Sequence, residues 1–241
     1  MTRSLKNSVR FRVRVPVVPT DHAGVFTDGA WLYTRNRVPG RKVYGELLRE
    51  EGGVEYRRWD AERSKLAAYL KRGGRIWPFR ETSFVLYLGA ASGTTVSHLS
   101  DVCSLGTIVA VEISPRSFRD LVRLAESRTN VLPVLADAAH PDTYGARAAH
   151  ADVLYQDVAQ RDQEGLFQKN LSLLGPGRFG FLIVKSRSAD VAAEPAAVFR
   201  AATDRLRSAS VDVIDVRTLD PFAKDHAAIV VRTTEPQGAK R

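Results

Sequence analysis

The stretch Tyr87-Leu88-Gly89-Ala90-Ala91-Ser92-Gly93-Thr94-Thr95 follows an apolar run and leads into a helix-forming segment. Gly89 and Gly93 remove Cβ atoms where the chain must turn sharply and where a ligand could approach the backbone closely. A predicted strand over 107–111 ends in Glu112, twenty-three residues past Gly89. An acid at that distance can accept hydrogen bonds from both hydroxyls of a ribose. The next predicted strand, 131–135, runs into Ala136-Asp137-Ala138, where a carboxylate can accept from the exocyclic amine of adenine. Together these residues specify an adenosine-type cofactor at the carboxyl edge of a sheet. NAD and S-adenosylmethionine (SAM) both answer that description. NAD sites normally carry GxGxxG with the pyrophosphate on helix amides, and Gly-Ala-Ala-Ser-Gly is one glycine short of that spacing. SAM is favoured.

Two further charged residues close apolar runs. Asp157 follows the predicted strand 153–156, and Lys185 follows 178–184. Both would lie at the carboxyl edge of the sheet, where open α/β folds bind ligands. Asp157 could also merely cap a loop there, and a lysine ending an apolar strand is unusual enough to suggest a site. His98 and His140 have no second ligand at i+4 or a similar spacing, so they read as structural or ligand-adjacent and no metal is expected. Cys103 is the one cysteine of the chain. It excludes a disulfide framework and a Cys-based zinc site, and points to a reducing cytosol.

The elements that must hold these residues divide in two. Residues 9–18 alternate apolar and basic with period two, a strand with an Arg-bearing wet face that ends near Pro16. Residues 25–26 and 30–33 flank Asp28-Gly29 and read as a hairpin. Val38-Pro39-Gly40 marks another turn, so residues 1–57 are expected to form a small β-rich domain. A methyltransferase-type domain is expected over 58–234, with a frayed tail at 235–241. A helix over 61–72, capped by Asp60 and stopped at Gly73-Gly74, opens the second part. Predicted strands 84–88, 107–111, 131–135, 153–156 and 178–184 then alternate with helices 95–102, 115–127, 163–174 and 195–209. That alternation builds a Rossmann-like, mostly parallel α/β sheet. The closing strands 211–218 and 226–233 are only seven residues apart, too few for a crossover helix, so they must run antiparallel. No apolar run approaches a membrane span and no signal-peptide pattern follows Met1.

Charge is partitioned as well. The 241 residues hold 36 Lys+Arg and 27 Asp+Glu, a net charge of +9. Residues 1–80 carry 18 basic and 8 acidic groups, so the whole excess lies in the first third. Such a surface suits either solubility or a polyanion.

Many separate stretches, in order, resemble the fibrillarin family of box C/D RNA 2′-O-methyltransferases. They include Val43-Tyr44-Gly45-Glu46, Tyr56-Arg57-Arg58-Trp59, Arg63-Ser64-Lys65-Leu66 and the glycine turn through His98. Asp137-Ala138, His140-Pro141, Asp157-Val158-Ala159-Gln160, Val184-Lys185 and Asp225-His226-Ala227 complete the set. No Gly/Arg-rich leader precedes the β module in the sequence, so the similarity is to the archaeal form. The resemblance implies the class I SAM methyltransferase fold and a catalytic set of Lys65, Asp157, Lys185 and His226. It implies a cofactor site at Gly89, Ala90, Ala91, Ser92, Gly93, Thr94, Thr95, Glu112, Ile113, Asp137, Ala138 and Asp157 through Gln160, with Val158 and Ala159 between. It also implies partners: guide and target RNA, a Nop-family scaffold and a kink-turn-binding ribosomal-type protein. Without it, Lys65 would be a solvated helix lysine and His226 a structural histidine.

The sequence departs from the family in places. Ile113 stands where the family has an aromatic, which removes stacking worth about 1 kcal/mol. Ala139 replaces an arginine, and Ala61 a proline, leaving the four matched residues intact. Methylation of a protein glutamine, or a non-catalytic role in the particle, are the alternative functions.

Overall fold

The computed structural model describes residues 15–190, 192–208 and 211–234. Its first part is a five-stranded antiparallel sheet: β1 (Val18–Pro19), β2 (Phe26–Thr27), β3 (Leu32–Arg35), β4 (Leu48–Glu51) and β5 (Val54–Trp59), in the order β1-β2-β3-β5-β4. The hairpin around Asp28-Gly29 forms as expected, with Phe26 opposite Tyr33. Residues 9–14 of the alternating segment lie outside the described residues, as does the tail 235–241. The β4–β5 hairpin turns at Gly52 and Gly53, both at positive φ, and was not evident from the sequence.

The second part follows with α1 (Lys65–Lys71), β6 (Phe84–Leu88), α2 (Thr94–Val102), β7 (Thr107–Glu112), α3 (Pro115–Ser127) and β8 (Val131–Leu135). After a short turn of helix at Pro141–Thr143 come α4 (Gly145–Ala148), β9 (Ala151–Gln156), α5 (Gln163–Leu171), β10 (Leu174–Lys185) and α6 (Ser186–Ala189). α7 (Pro195–Arg207), β11 (Val211–Thr218) and β12 (His226–Thr233) close the chain. The seven strands lie in the order β11-β12-β10-β9-β6-β7-β8. β12 runs antiparallel to both β10 and β11, and the other pairs are parallel. The expected Rossmann-like sheet with a terminal antiparallel pair is therefore present.

Period-two alternation divides the core. Val85 and Tyr87 pack with α1, α2 and α3 on one face, in a cluster that also takes Val25 and Trp59 from the first sheet. Leu86 and Leu88 face the other way, against Leu166, Phe167 and Leu206. Among the described residues no helix is long and apolar enough to cross a membrane.

The first helix corrects one expectation. Asp60 does not cap it: its side chain takes the amide of Glu62 in a preceding turn, and its carbonyl takes that of Arg63. The helix starts at Lys65, with Ser64 as the cap accepting from the Ala67 amide. Two equally suitable N-cap types stood four residues apart, and local turn bonding decided between them.

A buried charge network joins the two parts. Glu46 pairs with Arg57 Nε at 2.7 Å, and Arg57 Nη1 pairs with Asp101 at 2.7 Å. Arg128 Nη1 holds the other Asp101 oxygen at 2.6 Å, and all four side chains are essentially inaccessible. Thr34 donates to Asp101, so its oxygen accepts from His98 Nδ1, 2.8 Å away. Nδ1 of His98 therefore carries a hydrogen, Nε2 lies 2.8 Å from the Tyr44 hydroxyl, and the ring stacks on Trp59 with centroids 5.0 Å apart.

Burial, and then the Arg57 and Arg128 guanidiniums, depress the His98 pKa well below its ordinary value. An unfolded chain would take up this proton below pH about 6.5, whereas the folded one would not. Stability is thus expected to fall as pH drops from 7 to 5, by up to about 1.4 kcal/mol per pH unit for one proton. Urea unfolding across that range checks it. A flat profile, or one that a His98→Gln variant leaves unchanged, removes the assignment.

Candidate active site

Asp157 lies where β9 leaves the sheet, its amide donating to the Leu88 carbonyl at the end of β6. Lys65 Nζ donates to Asp157 Oδ2 at 3.0 Å, and Lys185 Nζ sits 3.0 Å from Oδ1. The Lys185 ammonium aligns instead on the Asp157 carbonyl, 3.5 Å away. Oδ1 is therefore buried, ion-paired by proximity and without an aligned donor. Burial would raise the Asp157 pKa, but the two ammonium groups outweigh it and hold the carboxyl below its ordinary value.

Lys185 ends β10 directly opposite His226, the first residue of β12. Cross-strand partners present their side chains on the same face. His226 Nδ1–H donates to the Lys224 carbonyl at 2.6 Å, which leaves the lone pair on Nε2. Burial lowers the His226 pKa; Lys65 and Lys185 add to this, and the Lys224 bond and Asp157 oppose it. The imidazole is neutral at pH 7.

Lys65 arrives from outside the sheet, on a helix fixed at its start. Ser64 Oγ lies 3.0 Å from Thr95 Oγ1, stitching the head of α1 to the head of α2. The structure thus brings all four predicted residues to one edge of the sheet.

Sequence reasoning missed Gln163. It is fully buried, and its side-chain amide closes both backbone groups of Lys185: Lys185 N donates to Oε1 at 2.8 Å, and Nε2 donates to the Lys185 carbonyl at 3.1 Å. A glutamine at the head of a helix carries no sequence signal of that task.

Next to Asp157 is a cavity of about 290 Å³ lined by Gly89, Ala91, Glu112, Ile113, Asp137, Ala138, Val158, Ala159, Gln160 and Lys185. Gly89, at φ +79°, is required there, because a Cβ would stand 2.4 Å from the Asp157 carbonyl oxygen. Glu112 accepts from the Ala91 amide at 2.7 Å and the Ser114 amide at 2.8 Å. One acceptor site remains on each of its oxygens. Asp137 takes the Ala139 amide on Oδ1. Its Oδ2 has no protein donor among the described residues. Bare backbone, two acceptors with spare capacity and an orphaned carboxylate oxygen together fit an adenosylmethionine. Ile113, at 58% exposed, forms an aliphatic wall.

The remainder of the glycine turn points elsewhere. Ala90 is buried, Gly93 packs against Leu124, and Thr95 is engaged by Ser64. Ser92 and Thr94 line a neighbouring cleft instead.

This arrangement matches known proteins over most of its length. The fibrillarin family model matches residues 17–235. The chain belongs to the fibrillarin family. A fibrillarin-like rRNA/tRNA 2′-O-methyltransferase of Methanothermobacter thermautotrophicus is 44% identical over 210 residues, covering 87% of this chain and 94% of that one. The crystal structure of Aeropyrum pernix fibrillarin with natively bound S-adenosyl-L-methionine superposes with a TM-score of 0.81 at 41% identity, covering 90% of this chain and 99% of that one. A fibrillarin/Nop5p complex gives a TM-score of 0.81 at 34% identity, covering 88% and 98%.

Proposed function

We propose that this chain transfers a methyl group from SAM to ribose 2′-hydroxyls of rRNA and tRNA, on targets chosen by a box C/D guide RNA. In this reading it works inside a ribonucleoprotein with a Nop-family scaffold and a kink-turn-binding ribosomal-type protein. The observation that carries the proposal is a carboxylate held between two lysines at the wall of a cavity that also presents Glu112 and Asp137. Membership of the family and the SAM-bound relative support it.

Gly89, Ala91, Glu112, Ile113, Asp137, Ala138 and the segment Asp157 to Gln160 would hold the cofactor. When bound, SAM supplies an electrophilic methyl carbon on a sulfonium that leaves as a neutral thioether. The Asp157 carboxylate accepts a hydrogen bond from the target hydroxyl and aims its oxygen. Its low pKa makes it an orienting acceptor more than a resting place for the proton. The Lys185 ammonium stabilises negative charge growing on that oxygen. Lys65 keeps the carboxylate ionised, and the free Nε2 of His226 gives the departing proton an acceptor.

The reading places the protein in the cytoplasm.

The test is labelled methyl incorporation into a C/D-guided RNA and its counterpart with a 2′-deoxy target. Label is expected only in the ribose form. Equal labelling of both, or label in protein after RNase treatment, overturns 2′-O chemistry.

A further inference from the structure

A second cavity of about 450 Å³ lies between the loop at 38–44, the glycine turn and α3, lined by Arg41, Lys42, Tyr44, Arg63, Ser92 and Thr94, and by Arg123, which is paired with Asp120 at 3.1 Å. Part of the basic N-terminal third is paired off within the protein. Arg49 pairs with Asp28 and Glu51, Arg57 with Glu46 and Asp101, and Arg58 with Asp60. Arg41, Lys42 and Arg63 are exposed and pair with no carboxylate among the described residues. Apart from the Arg63 guanidinium, 5.8 Å over the Tyr44 ring, their side chains have no polar partner among the described residues. Three unpartnered cations therefore converge on one hollow.

The hollow is also placed beside the candidate active site. The turn 89–94 is a shared wall: Gly89 and Ala91 face the cofactor cavity, whereas Ser92 and Thr94 face the basic cleft. Arg63 is two residues before Lys65, on the turn whose Ser64 is bonded to Thr95. The floor is rigid. Glu46 accepts the amides of Val43 and Tyr44, and Arg128, which also lines the cleft, is locked to Asp101.

We propose that this cleft seats backbone phosphates of the RNA strand that carries the target nucleotide, with Arg41, Lys42 and Arg63 as its contacts. The inference rests on the RNA-methylating reading above and adds the path of the strand. Exposed ammonium and guanidinium groups without protein partners are suited to phosphate, which they bind with release of counterions and without reading sequence. The hydroxyls of Ser92 and Thr94 supply uncharged donors at the inner wall. A strand lying here would pass along the outer side of the turn whose inner side carries the cofactor.

The experiment measures binding of a short fluorescent single-stranded RNA by the full chain across a salt series. The triple variant Arg41→Ser/Lys42→Ser/Arg63→Ser is compared with a control, Arg75→Ser/Arg147→Ser/Arg200→Ser. The control removes the same charge from exposed positions outside the cleft. The cleft variant should flatten the log–log salt slope by about 0.7 per lost contact, near two in total, and the control should not. In the guided particle it should raise KM for target RNA and leave the single-turnover rate at saturating RNA unchanged. An unchanged slope, or equal flattening in both variants, overturns the proposal. So does normal RNA binding with lost co-purification of the Nop-family scaffold, which would assign the cleft to a protein. Failure of the parent chain to methylate a guided ribose would strike the functional reading. An unchanged slope with methylation intact would strike the cleft alone.

Discussion

Asp157→Asn is expected to reduce methyl transfer by about two to four orders of magnitude, with cofactor binding changed far less. The substitution keeps the shape and removes the charge between Lys65 and Lys185, each 3.0 Å from a carboxylate oxygen. An amide nitrogen turned toward either ammonium would repel it, and the amide oxygen is a weaker acceptor for the target hydroxyl. Single-turnover transfer to a guided RNA, with calorimetric titration of SAM alongside, separates the two effects. Transfer at the parent rate would remove Asp157 from the chemistry.

The pH profile should agree. The folded Asp157 pKa lies below its ordinary value. The carboxylate is therefore ionised throughout the neutral range, and its contribution to stability is lost only as pH falls through that lowered value. No loss of activity between pH 8 and 6 should trace to this group.

Arg57→Ala is expected to destabilise the chain by about 3–5 kcal/mol, lowering the unfolding midpoint by on the order of 10 °C. Arg57 is fully buried and donates to Glu46, Asp101, and the hydroxyl and carbonyl of Ser97. Its removal leaves Glu46 without a counter-ion and Asp101 with Arg128 alone. Differential scanning calorimetry of parent and variant checks this. An unchanged midpoint would show that the network is better hydrated than its geometry implies.

The parts of the molecule that follow simple periodicities were legible in the sequence. β6, β8 and α3 begin and end where short apolar runs and the Ser114-Pro115 start place them. β10 begins at Leu174 and not at 178, because Gly175, Pro176 and Gly177 interrupt the pattern at a shift in register before Phe179. The β4–β5 hairpin was hidden because Arg49 and Arg57, charged residues at inward positions, disguise its alternation.

The same disguise concealed the seam between the two parts. Periodicity reads a buried arginine as a wet face. The site was more legible than the seam, since charged residues terminating apolar strands stand out, as Asp157 and Lys185 do. Lys65 and His226 were recoverable only through the family's motifs, and Gln163 not at all. Its role depends on a fold that brings α5 against the end of β10.

The joint between the first sheet and the methyltransferase sheet includes two carboxylates and two guanidiniums beside its apolar contacts. Hydration of charged groups becomes less favourable as temperature rises, so the penalty for keeping them dry shrinks on warming. Apolar contact gains no comparable advantage. Heat therefore weakens the ionic part of this joint less than it would weaken an oily one of the same size.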